Sequence, residues 1–213
     1  MDKSTVEHYH KKYTGFFTGD ECKQICDIIK RDKNLILSYT DIDDNQNGYE
    51  GLTRSFTVYN WLYHPDIQPL NIPQRIAKLK EIESDYLFLQ CWCNELEIGK
   101  GLQRHAHGFR KELFWNCNIF LGGDYNETWY EDSGNIQNEV GDLHLFTSNL
   151  EHEVYPNTGK ENRYSMAIDV HQSFYHCRNL YNSGRFYIHC LLYTSDAADE
   201  RSSVDLCGRR IIK

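Results

Sequence analysis

Between Gly101 and Asp169, apolar and polar positions alternate in short runs separated by turn residues. Leu113-Phe-Trp-Asn-Cys-Asn-Ile-Phe-Leu121, Asp142-Leu-His-Leu-Phe146 and Tyr164-Ser-Met-Ala-Ile-Asp169 each read as half-buried strands, because strand side chains repeat every two residues. Upstream, Asp85 to Glu97 is long and mostly apolar or aromatic, and is expected to be the first strand of a core. Glu127-Thr-Trp-Tyr130 predicts a further short strand. Turn clusters at Gly122-Gly-Asp-Tyr-Asn126, Asp132-Ser-Gly-Asn135 and Pro156-Asn-Thr-Gly159 punctuate these runs. Strands and turns alternating at roughly ten-residue spacing indicate an all-β sandwich or barrel.

The first part of the chain follows a different rhythm. Residues 1–18 are polar and aromatic without a clear period. Thr18-Gly-Asp-Glu21 has the spacing of a capping box, and Cys22, Ile25, Ile28 and Ile29 follow at helical intervals, so a helix is expected to end near Asp32. Leu35 to Tyr39 and Thr53 to Tyr59 read as strands, with a loop rich in Asp, Asn and Gly over 41–51 between them. Pro73 suits the first turn of a second helix, Gln74 to Glu83. The expected architecture is mostly β with N-terminal helices. Residues 1–83 would form a support region within the same domain, and 84–189 its double-sheeted β core.

Composition narrows the function classes. A chain of 213 residues buries one full core, and its net charge of −8 lacks the basic face that a nucleic-acid binder needs. No apolar run approaches a transmembrane length and the N-terminus lacks a signal-peptide core, so a cytoplasmic, soluble, reduced protein without a membrane partner is expected. The eight cysteines form no paired Cys-x-x-Cys framework, which argues against zinc ribbons and disulfide scaffolds. Two of them fall in a segment that needs separate treatment. Cys190 to Glu200 reads as a translated transposase-type sequencing adapter, and Val204 to Ile212 as its companion with Cys207 in place of Gly. Residues 190–213 are therefore expected to be adapter read-through, with the natural chain cut near His189.

The chemistry concentrates on a few polar positions. His105 and His107 are separated by one residue, so on a strand they share a face. His152 follows about forty-five residues on and can close a three-ligand set that leaves coordination positions open, as catalysis requires. Arg163 and Ser165 again share one face, and arginine is a planar two-pronged donor matched to a carboxylate. Singly, His105 and His107 read as solvated residues beside Gly101 and Gly108; their combination with His152 and Arg163 favours a metal site. His144 reads as structural, and His8, His10, His64, His171, His176 and His189 as surface residues. Trp61 and Tyr63 read as packing, with a substrate mouth as the alternative.

These residues carry a resemblance. With Cys91-Trp-Cys-Asn94, His105-Ala-His107, Gly141-Asp-Leu-His-Leu-Phe146, His152 and Arg163-Tyr-Ser165, residues 84–170 resemble the iron(II)- and 2-oxoglutarate-dependent dioxygenase superfamily, particularly small oxygenases of phage and marine metagenomes. The resemblance implies a double-stranded β-helix, a jelly roll of cupin-like form. It implies Fe(II) and 2-oxoglutarate as cofactors, and dioxygen and an unidentified organic substrate as partners. His105 and His152 would be metal ligands, and Arg163 and Ser165 would bind the distal carboxylate of 2-oxoglutarate, with Asn94 reaching it from a neighbouring strand. Position 107 departs from the common His-x-Asp pattern. His107 ligates in its place, or Glu112 supplies the carboxylate, or water fills the position.

Two other readings compete. His105-x-His107-x4-Glu112 with His152 also resembles the ligand set of a cupin metalloenzyme that needs no keto acid. A metal-free jelly-roll binding module would keep the strands and ignore the histidines. Arg163-x-Ser165 is the feature that favours the oxygenase.

Overall fold

The computed structural model describes residues 7–38, 60–84, 86–108, 114–172 and 187–190, with 36–38 and 187–190 described for the backbone only. In chain order the elements are β1 (His10–Tyr13), α1 (Gly19–Ser38), two single 3-10 turns (Trp61–Tyr63 and Gln68–Leu70), α2 (Ile72–Ile76) and nine further strands. These are β2 (Tyr86–Leu96), β3 (Leu102–His105), β4 (Trp115–Gly122), β5 (Glu127–Tyr130), β6 (Gly134–Gln137), β7 (Leu143–Thr147), β8 (His152–Val154), β9 (Arg163–His171) and β10 (Tyr187–Cys190).

The strands form a six-stranded sheet, β1-β7-β4-β9-β2-β10, and a four-stranded sheet, β3-β8-β5-β6, with antiparallel pairing throughout. This is the expected double-stranded β-helix. Strand β9 lies between β4 and β2, so Ser165 stands in register with Asn94 on one side and Phe120 on the other, and Asp169 with Gln90 and Asn116. The period of two then sorts the large sheet into two faces. Cys91, Cys93, Ile119, Leu143, Leu145, Met166 and Ile168 join Cys22, Ile25, Ile28 and Ile29 of α1 in the main apolar core. The alternate positions, Gln90, Trp92, Asn94, Asn118, Phe146, Arg163, Ser165, Ala167 and Asp169, line a cavity between the sheets.

The helix that covers the outer face begins as its sequence dictates. Thr18 N–H donates to Glu21 Oε2 at 2.8 Å, and Glu21 N–H donates to Thr18 Oγ at 3.2 Å, the reciprocal bonds of a capping box. Its end differs from expectation. α1 runs to Ser38, so Leu35 to Ser38 are helical rather than a strand. A short apolar run does not separate the two states, and adding a turn to an existing helix is cheap compared with starting a new element. The second helix is one turn rather than ten residues. Beyond it, Leu79 N–H donates to the Ile76 carbonyl and Ile82 N–H to that of Leu79, so tight turns bury the same apolar positions.

Strands β1, β6 and β10 are absent from the sequence reading. β1 pairs with β7 and β10 with β2, so each extends the large sheet through backbone bonds that leave no apolar period. β10 includes Cys190, the first residue of the segment read as adapter-derived; 191–213, together with the 53–59 strand and 41–51 loop expectations, Glu112 and His176, lie outside the described residues. His64 and His171 are buried rather than superficial: His64 hydrogen-bonds Asp32 through Nε2 at 2.9 Å, and His171 stacks on Phe114 at 4.0 Å. Trp61 is fully buried in the core, whereas Tyr63 is exposed. Among the described residues, no helix is long and apolar enough to cross a membrane.

Candidate functional site

The cavity between the sheets has a volume of about 340 Å³, the size of a small-ligand pocket. Three histidines meet in it. β3 and β8 pair so that His105 stands opposite His152, and the turn after β3 carries His107. Both His107 N–H and Gly108 N–H donate to the Ser148 carbonyl at 2.9 Å, which pins this turn against the end of β7. One ligating nitrogen from each of the three rings lies within 4.8 Å of the others. The ring centroids are 4.3 Å apart for His105 and His152, 5.2 Å for His107 and His152, and 5.3 Å for His105 and His107.

The outer nitrogens share a pattern. His105 Nδ1 faces the Gln103 carbonyl at 2.7 Å, His152 Nδ1 the Leu150 carbonyl at 3.2 Å, and His107 Nδ1 an Asp169 carboxylate oxygen at 2.7 Å. Carbonyl and carboxylate oxygens only accept, so the Nδ1 of His105 and of His152 carries the proton; His107 Nδ1 also lies 2.7 Å from Asn116 Nδ2, and its contact with the ionised Asp169 oxygen assigns it the same tautomer, with Nε2 the lone-pair nitrogen in each ring. Such bonds fix the tautomer and the ring orientation of metal-binding histidines. Burial, and then the neighbouring His107, pulls His105 down to about 4; burial and the other two histidines hold His152 well below its usual range. Both rings are neutral at physiological pH, as ligation requires.

At the other end of β9, Arg163 is 1% exposed. Its Nη2 donates to Thr128 Oγ at 3.0 Å and its Nη1 to Ser165 Oγ at 3.4 Å, while Nε has no hydrogen-bond partner. Among the described residues no carboxylate pairs with it, and burial lowers the guanidinium to about 10. Asn94 Nδ2 donates to Ser165 Oγ at 3.2 Å, and Asn94 Oδ1 is buried without a partner. A buried cation among unsatisfied polar atoms is costly alone and favourable once an anion enters. The cavity therefore fits a small carboxylate at this end and a metal ion at the histidine end.

The structure thus brings all six candidate residues, Asn94, His105, His107, His152, Arg163 and Ser165, to one cavity. Three participants escaped the sequence reading. Thr128 is 1% exposed and braces Arg163 from β5 of the small sheet. Asp169 holds His107, and Asn116 donates to the same Asp169 oxygen from β4. Asp169 was legible in principle, since Arg163, Ser165, Ala167 and Asp169 share one face by period. Thr128 and Asn116 carry no sequence signal, because only strand pairing places them.

Gly123 links the turn after β4 to the clamp. Its φ is +103°, and a Cβ there would stand 2.7 Å from the Asn162 carbonyl oxygen and 2.9 Å from Arg163 Cα. Gly123→Ala should lower unfolding free energy by about 2 kcal/mol, read from urea melts, because positive φ and backbone contact both penalise the methyl.

Comparison with known proteins bears on the family and the fold. A family described as "Putative 2OG-Fe(II) oxygenase" matches residues 117–169, a span that holds His152, Arg163 and Ser165 but stops short of His105 and His107. No curated protein matches the sequence. Among solved structures, the non-heme alpha-ketoglutarate-dependent epimerase SnoN from nogalamycin biosynthesis aligns with TM-score 0.55 and 12% identity, covering 76% of each chain. A Pseudomonas putida prolyl-4-hydroxylase aligns with TM-score 0.47 and 16% identity over 79% of this chain and 95% of its own. In fold, and from Cys117 to Asp169 in sequence, the chain resembles the iron(II)- and 2-oxoglutarate-dependent oxygenase superfamily.

Proposed function

We propose that this chain is an iron(II)- and 2-oxoglutarate-dependent oxygenase that hydroxylates an organic substrate. The observation that carries the reading is one cavity holding a three-histidine cluster at one end and, at the other, a buried arginine that pairs with no carboxylate among the described residues. His105, His107 and His152 would hold the iron. Arg163, Ser165 and Thr128 would take the distal carboxylate of 2-oxoglutarate, with Asn94 at their side. Bound iron and 2-oxoglutarate supply oxidative activation of dioxygen toward a C–H bond.

The chain's own contribution is placement. Three Nδ1 hydrogen bonds hold the imidazoles oriented before the metal binds, so little reorganisation accompanies loading. Arg163 orients the cosubstrate through two parallel donors, as guanidinium groups do with carboxylates. Leu96, Leu102, Phe146 and Val154 line the walls and exclude water from the reacting centre.

Anaerobic titration tests the proposal. Adding Fe(II) and then 2-oxoglutarate should produce a visible metal-to-ligand absorption band that iron alone does not give. A protein with iron demonstrably bound and no such band would be a cupin-type metalloprotein instead, and the oxygenase reading would fail.

A further inference from the structure

The third metal position departs from the usual pattern because an imidazole stands where a carboxylate is common. A carboxylate ligand neutralises one unit of the metal's charge, and a neutral imidazole does not. The structure places a carboxylate one atom layer further out. Asp169 accepts from His107 Nδ1 at 2.7 Å, and Asn116 Nδ2 donates to the same oxygen, so the carboxylate is held from two strands. Its side chain is 14% exposed, and among the described residues it forms no ion pair with lysine or arginine. Its charge is thus committed to His107.

We propose that Asp169 is the positioning residue of the metal centre: it restores the missing negative charge through His107 and fixes the Nε2-ligating tautomer. The inference rests on the metal-centre reading above and deepens it. A carboxylate that accepts the Nδ1 proton makes the opposite nitrogen a stronger donor. Behind His105 and His152 stand the backbone carbonyls of Gln103 and Leu150. Behind His107 the support is instead a carboxylate, which carries a formal charge. β9 then serves both ends of the cavity from one face, the guanidinium of Arg163 at one end and the carboxylate of Asp169 about 20 Å along the strand, six residues on. The positive end suits an anionic cosubstrate and the negative end a cation.

The test uses Co(II) as the probe, with affinity read from its visible absorption and ring N–H protons from paramagnetic NMR of the loaded protein. Asp169→Asn keeps the shape and removes the charge. It should weaken Co(II) binding about ten- to a hundredfold, the range for loss of an outer partner of a ligating histidine. His107→Gln keeps a side chain that reaches the Nε2 position but has no Nδ1 donor. In that background Asp169→Asn should change affinity less than twofold, because no proton is left for the carboxylate to accept. The parent should show three slowly exchanging ring N–H signals. The signal missing from His107→Gln should be the only one that broadens in Asp169→Asn. A merely structural Asp169 would give the same loss in both backgrounds and leave the N–H signals alone, and that result would overturn the proposal. Unchanged affinity in the single variant would overturn it equally. Failure of the parent itself to bind Co(II) would instead remove the metal-centre reading, and this inference with it.

Discussion

Arg163→Ala is expected to abolish productive 2-oxoglutarate binding while leaving metal affinity nearly intact. The side chain is 1% exposed and its hydrogen bonds are to two hydroxyl oxygens, of Thr128 and Ser165, with Nε left over. A carboxylate entering this cavity gives up its water, and only a matched cation offsets that loss. Breaking such a buried pair by deleting one partner costs about 3–5 kcal/mol, a rise in the dissociation constant of roughly a hundred- to several-thousandfold. Arg163→Lys should fall between, since an ammonium supplies charge without the two-pronged geometry. The free protein should respond in the opposite sense. Arg163→Met removes a buried charge that pairs with no carboxylate among the described residues, so the melting temperature without ligand should not fall. Calorimetric titration of 2-oxoglutarate into the Co(II)-loaded variants, with melting curves alongside, reads both effects. Retained 2-oxoglutarate affinity in Arg163→Ala would remove Arg163 from the site.

The second large effect concerns the metal. His105→Ala and His152→Ala should each reduce Co(II) or Fe(II) affinity by more than about a hundredfold. Loss of an outer partner already costs about 10–100-fold, and loss of a ligand exceeds it. His105 and His152 face each other across the β3–β8 pair, 4.3 Å between ring centroids, so removing either leaves two of the three nitrogens that would hold the ion. His105 is only half-buried, and its variant should fold as the parent does, whereas His152→Ala opens a hole in a buried region. Circular dichroism of His105→Ala therefore separates lost ligation from lost folding. Glu112→Ala supplies the contrast. If His107 is the third ligand, the Glu112 variant keeps full affinity and His107→Ala does not; the reverse pattern would transfer the third position to Glu112.

The strands of the core were readable because each buries one face or both. Alternation from Trp115 to Leu121 and from Tyr164 to Asp169 gives a period that survives without tertiary information, and β4 and β9 stand where it predicted. The same rule put His105 with His107 and Arg163 with Ser165. It failed where burial did not supply a period. β1 has four half-buried residues and β6 alternates between half-buried and exposed, so neither differs in pattern from a polar loop. Leu35 is apolar yet 58% exposed on α1, and a pattern read as strand was helix with one unshielded leucine. His64 and His171 were misjudged for a related reason: histidine has no fixed side of the interface, and a partner such as Asp32 or Phe114 decides it.

By itself the sequence determined the β architecture, the capping box of α1, and which residue types could bind a metal and a carboxylate. Those are local properties, set by side-chain period, by hydrogen bonds three residues apart and by the chemistry of imidazole and guanidinium. The tertiary structure alone decided that the two chemistries share a cavity, with Thr128 and Asn116 buried against its Arg163 and Asp169. It also gave His107 a carboxylate from a strand sixty-two residues away. Pairing register between distant strands sets those contacts, and register depends on the whole sheet closing at once rather than on any stretch of the chain.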